Sequence, residues 1–159
     1  MANINITTST TDIIAQLRAA GLAKLDDPAQ LQTLYKLWIN AVDQEAVQAF
    51  RTEISPSGQP WADLQPATLR YSRNPSRRGK LRDTSALFGS LAGQIVGDGI
   101  DYGSSQSVGE YSLLAIHHFG APRASIPARP SLPMDDQGEP LPFFVDRIEE
   151  ITLDWLGLG

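Results

Sequence analysis

Three prolines, Pro127, Pro130 and Pro133, stand at every third position of the stretch Ile-Pro-Ala-Arg-Pro-Ser-Leu-Pro. Proline fixes φ and has no N–H to donate, so this run can be neither a helix interior nor a central strand. The conformation left to it is an extended one with about three residues per turn. On that period Ile126, Arg129 and Leu132 share one face and the prolines another. Upstream lies a compact apolar segment, Tyr111 to Phe119; Gly120 closes it as a helix C-cap would, and Pro122 forbids continuation. Residues 120–134 are therefore expected to form a rigid extended arm. Two apolar side chains flanking an arginine suit docking onto a partner better than they suit chemistry, so Ile126, Arg129 and Leu132, with His117 and His118, are the expected contacts with a second subunit or another protein.

The rest of the chain supplies the body that such an arm needs. Asn3 to Thr7 alternates like a short strand, and Thr10 or Thr11 can cap a brief helix ending at Gly21. Asp27-Pro28 starts the longest helix of the first half, in which Leu31, Leu34, Tyr35, Trp38, Val42 and Ala46 keep helical spacing towards Phe50. Ser55 to Pro60 is a turn-rich break. Asp83 to Ser85 can cap a short helix carrying Leu87, Phe88 and Leu91, and Gln94 to Glu110 reads as one glycine-containing hairpin. After a polar linker from Asp135 to Pro142, a last helix places Phe144, Ile148, Ile151 and Trp155 on one stripe. Trp38, Trp61, Tyr111, Phe119 and Trp155 are the expected core anchors. No internal repeat is evident. The order gives an α+β fold, a small, mostly antiparallel sheet packed against helices, in one domain over residues 1–159.

Charge and composition narrow the chemistry. The net charge of −5 argues against a general nucleic-acid or anionic-membrane binder. No apolar run approaches the length of a membrane span, and the first ten residues lack the features of a secretory signal, so the cytoplasm is the expected compartment. Without cysteine there is no disulfide, thiolate metal site or cysteine nucleophile. His117 and His118, the two histidines, are adjacent; neighbours on a helix point about 100° apart, so the pair cannot chelate one metal. Neither a nucleophile elbow nor a phosphate-binding glycine loop is present. No metal, cofactor or small-molecule substrate is expected.

One segment runs against the overall charge. Residues 70–82 hold Arg70, Arg73, Arg77, Arg78, Lys80 and Arg82, six of the thirteen basic residues, and no acidic one. With Asn74, Pro75, Ser76 and Gly79 this reads as a mobile loop, either solvated or in contact with phosphate or an acidic neighbour.

Four groups of residues in register resemble a known family. They are Pro56-Ser57-Gly58 with Trp61, Leu64 and Thr68; Leu81 to Leu91 with Thr84 and Leu87; Tyr111 with Ile116 to Gly120; and Ile126 to Pro130 with Leu132. In this order and spacing, from about Phe50 to the C-terminus, the chain is similar to the virion morphogenesis, or tail completion, proteins of Mu-like and related contractile-tailed phages. It departs from the pattern at Ser131, where that family often has phenylalanine. The resemblance implies a structural subunit, not an enzyme, that completes the tail or joins it to the head. It further implies a homo-oligomer, six copies in a ring being the first expectation, with other tail or neck proteins as partners, DNA in the lumen, and a place in the virion after assembly in the host cytoplasm. Two other classes remain open on the residues: a nucleic-acid-binding module using the 70–82 loop, and a hydrolase using His117 or His118.

Overall fold

The computed structural model describes residues 4–5, 23–66, 70, 79–82 and 84–158. The expected helix between Thr10 and Gly21 and most of the basic segment lie outside them.

Helix α1, Pro28–Thr52, is the spine. It starts where the sequence places it: Asp27 caps it, Oδ1 accepting from Ala29 N at 2.9 Å, with proline at the first position. Leu34, Tyr35, Trp38, Ala41, Val42, Ala46, Ala49 and Phe50 form its buried face. Burying a side chain such as Phe50 contributes about 2 kcal/mol by itself. The closing helix α4, Pro142–Leu156, packs against this face through Phe144 and Ile148. The two are also linked by polar contacts. Trp38 Nε1 donates to Thr152 Oγ1 at 3.1 Å, Thr152 Oγ1 donates to Ile148 O at 2.7 Å, and Arg147 pairs with Glu45 and Gln44. Trp155 joins this packing from a partly buried position.

Between them runs a short helix, Ala86–Gly89 (α2), and then two hairpins where the sequence suggests one. Strand β1 is Ile4–Asn5, β2 Leu91–Val96 and β3 Gly99–Ser104; they form an antiparallel sheet in the order β1-β3-β2. Leu91, expected on the short helix, instead opens β2. The second hairpin pairs β4, Ser107–Val108, with β5, Tyr111–Ser112. A helix packs this closely on β2 because position 93 is glycine: a Cβ there would lie 2.5 Å from Ile39 Cγ2 of α1. Its cross-strand partner Tyr102 faces the same way and donates its hydroxyl to Asp43 of α1. Burial and the Asp43 carboxylate both raise the phenol pKa, so this hydroxyl stays a donor.

A turn used twice links these elements. Ser55 N donates to Gln59 O at 2.8 Å, Gly58 N to Ser55 O at 2.8 Å, and Gln59 N to Ser55 Oγ at 3.0 Å. Eighty residues on, Asp135, Gly138 and Glu139 repeat all three bonds, with Asp135 Oδ1 in place of the serine hydroxyl. Flanking bonds repeat too, Trp61 N to Glu53 O and Leu141 N to Pro133 O. The glycines take φ of +86° and +88°, values that favour glycine. The stretch after Asp135 is thus a closed turn and not a loose linker, and the chain does contain one short structural repeat.

Candidate functional site

The proline-ruled stretch is built from helix α3, Leu113–Phe119, outward. Ser112 caps α3, accepting from Ala115 N, and Gly120 ends it at φ +78° and ψ +170°, a backbone open almost only to glycine. A Cβ there would also sit 2.8 Å from Ala128 N. The chain then turns back on itself. A 3-10 turn, Pro122–Ala124, is closed by reciprocal bonds between Ala121 and Ile126 at 2.9 and 3.1 Å.

From there the arm is held on its own subunit, which corrects the expectation that its shared face meets a partner. Leu132 is fully buried, Arg129 is 4% exposed, and His118 is 2% exposed. The backbone N–H of Arg129 donates to His117 O at 2.6 Å. Its guanidinium donates through Nε to Ala62 O and through NH2 to Asp63 O, both at 3.0 Å. Trp61 Nε1 returns a bond to Pro130 O at 2.7 Å. Nδ1 of His118 accepts from the backbone N–H groups of Ser131 and Leu132 at 3.3 and 3.4 Å. The physical reason is satisfaction of backbone polar groups. A segment with three prolines lacks donors of its own for a ladder, so side chains of α3 and the Trp61 loop supply its partners.

Titration behaviour follows from this enclosure. Burial depresses the His118 pKa to about 4, against a smaller opposing effect from its bond to the Met134 backbone. The ring is therefore neutral near pH 7, with its proton on Nε2 because Nδ1 is an acceptor. His117 is lowered too, first by burial and then by the nearby Arg129 charge. Arg129 is lowered by burial, partly offset by Glu53 and Asp63. A guanidinium stays charged under any such shift. Ile126 and His117 are the two expected contact residues that keep part of their surface.

The expected DNA-contact residues divide. Arg70 is exposed, and Arg73, Arg77 and Arg78 lie outside the described residues. Lys80 is committed inside its own chain: it forms ion pairs with Glu53 at 3.6 Å and Asp63 at 3.1 Å and donates to Trp61 O at 2.7 Å. Arg82 lies over the Phe88 ring, 5.7 Å from its centroid. Lys80 is thus part of the anchorage of the Trp61 loop, and Arg82 packs on α2.

What faces outward is not what the sequence suggests, because the apolar β5 and α3 residues look like core. Tyr111 and Phe119, expected anchors, are 71% and 39% exposed. Val108 is 59% exposed and stands directly across the β4–β5 hairpin from Tyr111. Directly opposed residues project to the same side, so the pair forms a small apolar knuckle. The second β-hairpin was the signal that could have exposed this: Gly109-Glu110 between short alternating pairs is a two-residue turn. Trp38 and Trp61 are buried as expected. Among the described residues, no group of three His, Asp or Glu could hold a metal ion, and no helix is long and apolar enough to cross a membrane.

The family model for phage virion morphogenesis proteins matches residues 11–156. The chain belongs to the phage virion morphogenesis family. The match takes in α1, both hairpins, the latched arm and α4, so membership covers the whole described body between Ala23 and Leu156. No curated protein and no solved structure shows a significant match. Family membership gives the chain a part in building the virion, a structural role in assembly.

Proposed function

We propose that this virion morphogenesis protein completes the phage tail, or joins the tail to the head, as one subunit of a ring, with six copies the expected number. The observation that carries the reading is the family match over residues 11–156. The geometry supports it in a second way. The arm is spent on internal bracing, so the subunit is a stiff block, and the two most exposed of the large apolar groups among the described residues, Tyr111 and Val108, sit together on one hairpin. Apolar side chains left in water on a rigid body suit lateral contact with a neighbouring copy or tail component. A head-to-tail contact whose rotation closes gives a ring that a single chain of this size cannot make alone.

The test is electron microscopy of particles made without the gene and after complementation. The expected outcome is heads and tails that form but fail to join, or tails of uncontrolled length, with wild-type particles restored by the full chain. Normal joined particles in the deletion would overturn the reading. Negative-stain images of the purified chain, alone and with isolated tails, then report whether rings form.

A further inference from the structure

Residues 93 and 102 face α1, so by alternation Ala92, Gln94, Asp101 and Gly103 face the other side of the sheet. That side is not flat. The β4–β5 hairpin overhangs it and encloses a groove of about 770 Å³, floored by Ala92 and Gly103 and rimmed by serines, with Asp101 and Glu110 both in its lining. No lysine or arginine is among the described lining residues. Among the described residues, the buried Oδ1 of Asp101 has no hydrogen-bond partner, while the residue as a whole stays partly exposed. A buried carboxylate oxygen with no donor is a cost that folds normally avoid, so the groove is short of one positive group.

The chain has a segment with the opposite need. Residues 70–78 carry Arg70, Arg73, Arg77 and Arg78 with no acidic residue, in a protein of net charge −5. The C-terminal end of that segment is tied at Lys80 to Glu53, just past the end of α1. We infer that the groove beneath the β4–β5 hairpin receives the arginine segment 70–78 of a second copy of the chain, a guanidinium meeting Asp101 and Glu110. Resting on the ring reading above, this assigns one lateral contact of that ring. The contact is head-to-tail, groove on one copy and arginine segment on the next, which is the kind that can close.

The chain has no cysteine, so one label can be placed cleanly. A Ser76→Cys copy bearing a nitroxide is mixed with an isotopically labelled copy that carries no nitroxide, and the amides of the labelled copy are followed by NMR. Broadening seen there arises only between copies. The expected result is broadening centred on Ala92, Gln94, Asp101 and Gly103. It should fall about tenfold or more in apparent affinity when Asp101→Asn and Glu110→Gln are placed on the labelled copy. It should fall likewise at about 0.5 M salt, where screening acts over about 4 Å. In a second variant, Arg73, Arg77 and Arg78→Ser on the nitroxide copy removes the ligand while leaving the observed groove untouched, and broadening should again be lost. Broadening elsewhere, broadening indifferent to these changes, or none between copies would overturn the inference. Rings seen by microscopy in a protein without the contact would sink the contact alone, whereas the joining defect of the gene deletion tests the function by itself.

Discussion

The indole of Trp61 donates from Nε1 to the carbonyl oxygen of Pro130, 2.7 Å away across 69 residues of chain. Its ring meets Phe50 edge-on at a centroid distance of 5.4 Å, so one side chain joins the end of α1, the Ser55 turn and the arm. Trp61→Phe keeps most of the ring and deletes the donor, and a lone hydrogen bond of this kind is worth about 1 kcal/mol. Trp61→Ala removes the packing as well and should cost about 3–5 kcal/mol. Urea unfolding of the two variants checks the order; equal losses would mean that the hydrogen bond, and not the ring, dominates.

Arg129 holds the same seam from the other direction. Its two bonds reach backbone carbonyls set side by side at Ala62 and Asp63, a spacing that suits the planar fork of a guanidinium. A lysine keeps the charge but supplies a single point donor. Arg129→Lys should therefore lose about 2 kcal/mol, close to the loss in Arg129→Met. Stability near wild type for the lysine variant would show that charge alone, through Glu53 and Asp63, does the holding.

Acid should loosen the arm through His118. Its folded pKa, about 4, lies below the ordinary value of 6.5, so the fold favours the neutral ring. The linked stability is complete above pH 6.5 and is lost as pH falls through the interval down to about 4. Protonation would also put a donor at Nδ1, facing the N–H groups of Ser131 and Leu132. Each pH unit in that window costs about 1.4 kcal/mol, on the order of 3 kcal/mol in all. His118→Gln should flatten this dependence between pH 7 and 4.5, measured as the shift in urea midpoint. A wild-type midpoint unchanged over that range would place the titrating ring elsewhere.

Much of the body was legible because its signals are local. Asp27-Pro28 sets the start of α1, and the Leu34, Trp38, Val42 spacing sets its buried face, whatever surrounds them. The three-residue period groups Ile126, Arg129 and Leu132, yet Ser131, Pro133 and Met134 are buried beside Arg129 and Leu132 while Ile126 keeps part of its surface. Which residues of the arm are buried is not local: it is decided by acceptors at Ala62 and Asp63, far off in sequence, and by His118 of α3. Tyr111 and Phe119 misled for the converse reason, since an apolar side chain carries no mark of whether its neighbour is its own core or another protein. The recurring turn at Ser55 and Asp135 was hidden because serine and aspartate supply the same acceptor from different letters.

Gly93 gives a two-site test of the sheet. Gly93→Ala drives a methyl into Ile39 and should cost about 1–3 kcal/mol by overpacking. Adding Ile39→Val makes room, so the double variant should recover part of that loss, because residues in contact do not add independently. Additive losses in denaturant would show that β2 and α1 do not meet at this point.

The exposed knuckle separates folding from assembly. Val108 and Tyr111 touch little of their own chain, so Val108→Ser with Tyr111→Ser should change unfolding free energy by no more than about 1 kcal/mol. If the knuckle is an assembly contact, the same pair of changes removes buried area where copies or tail components meet, and losses at such anchors run to about 2 kcal/mol each. The expected outcome is a well-folded protein that fails to restore joined particles to the deletion strain. The buried Leu132→Ala should do the reverse, unfolding earlier by about 3 kcal/mol. Full complementation by the serine pair would move the contact off this hairpin, to other exposed apolar groups such as Phe119 and Phe143.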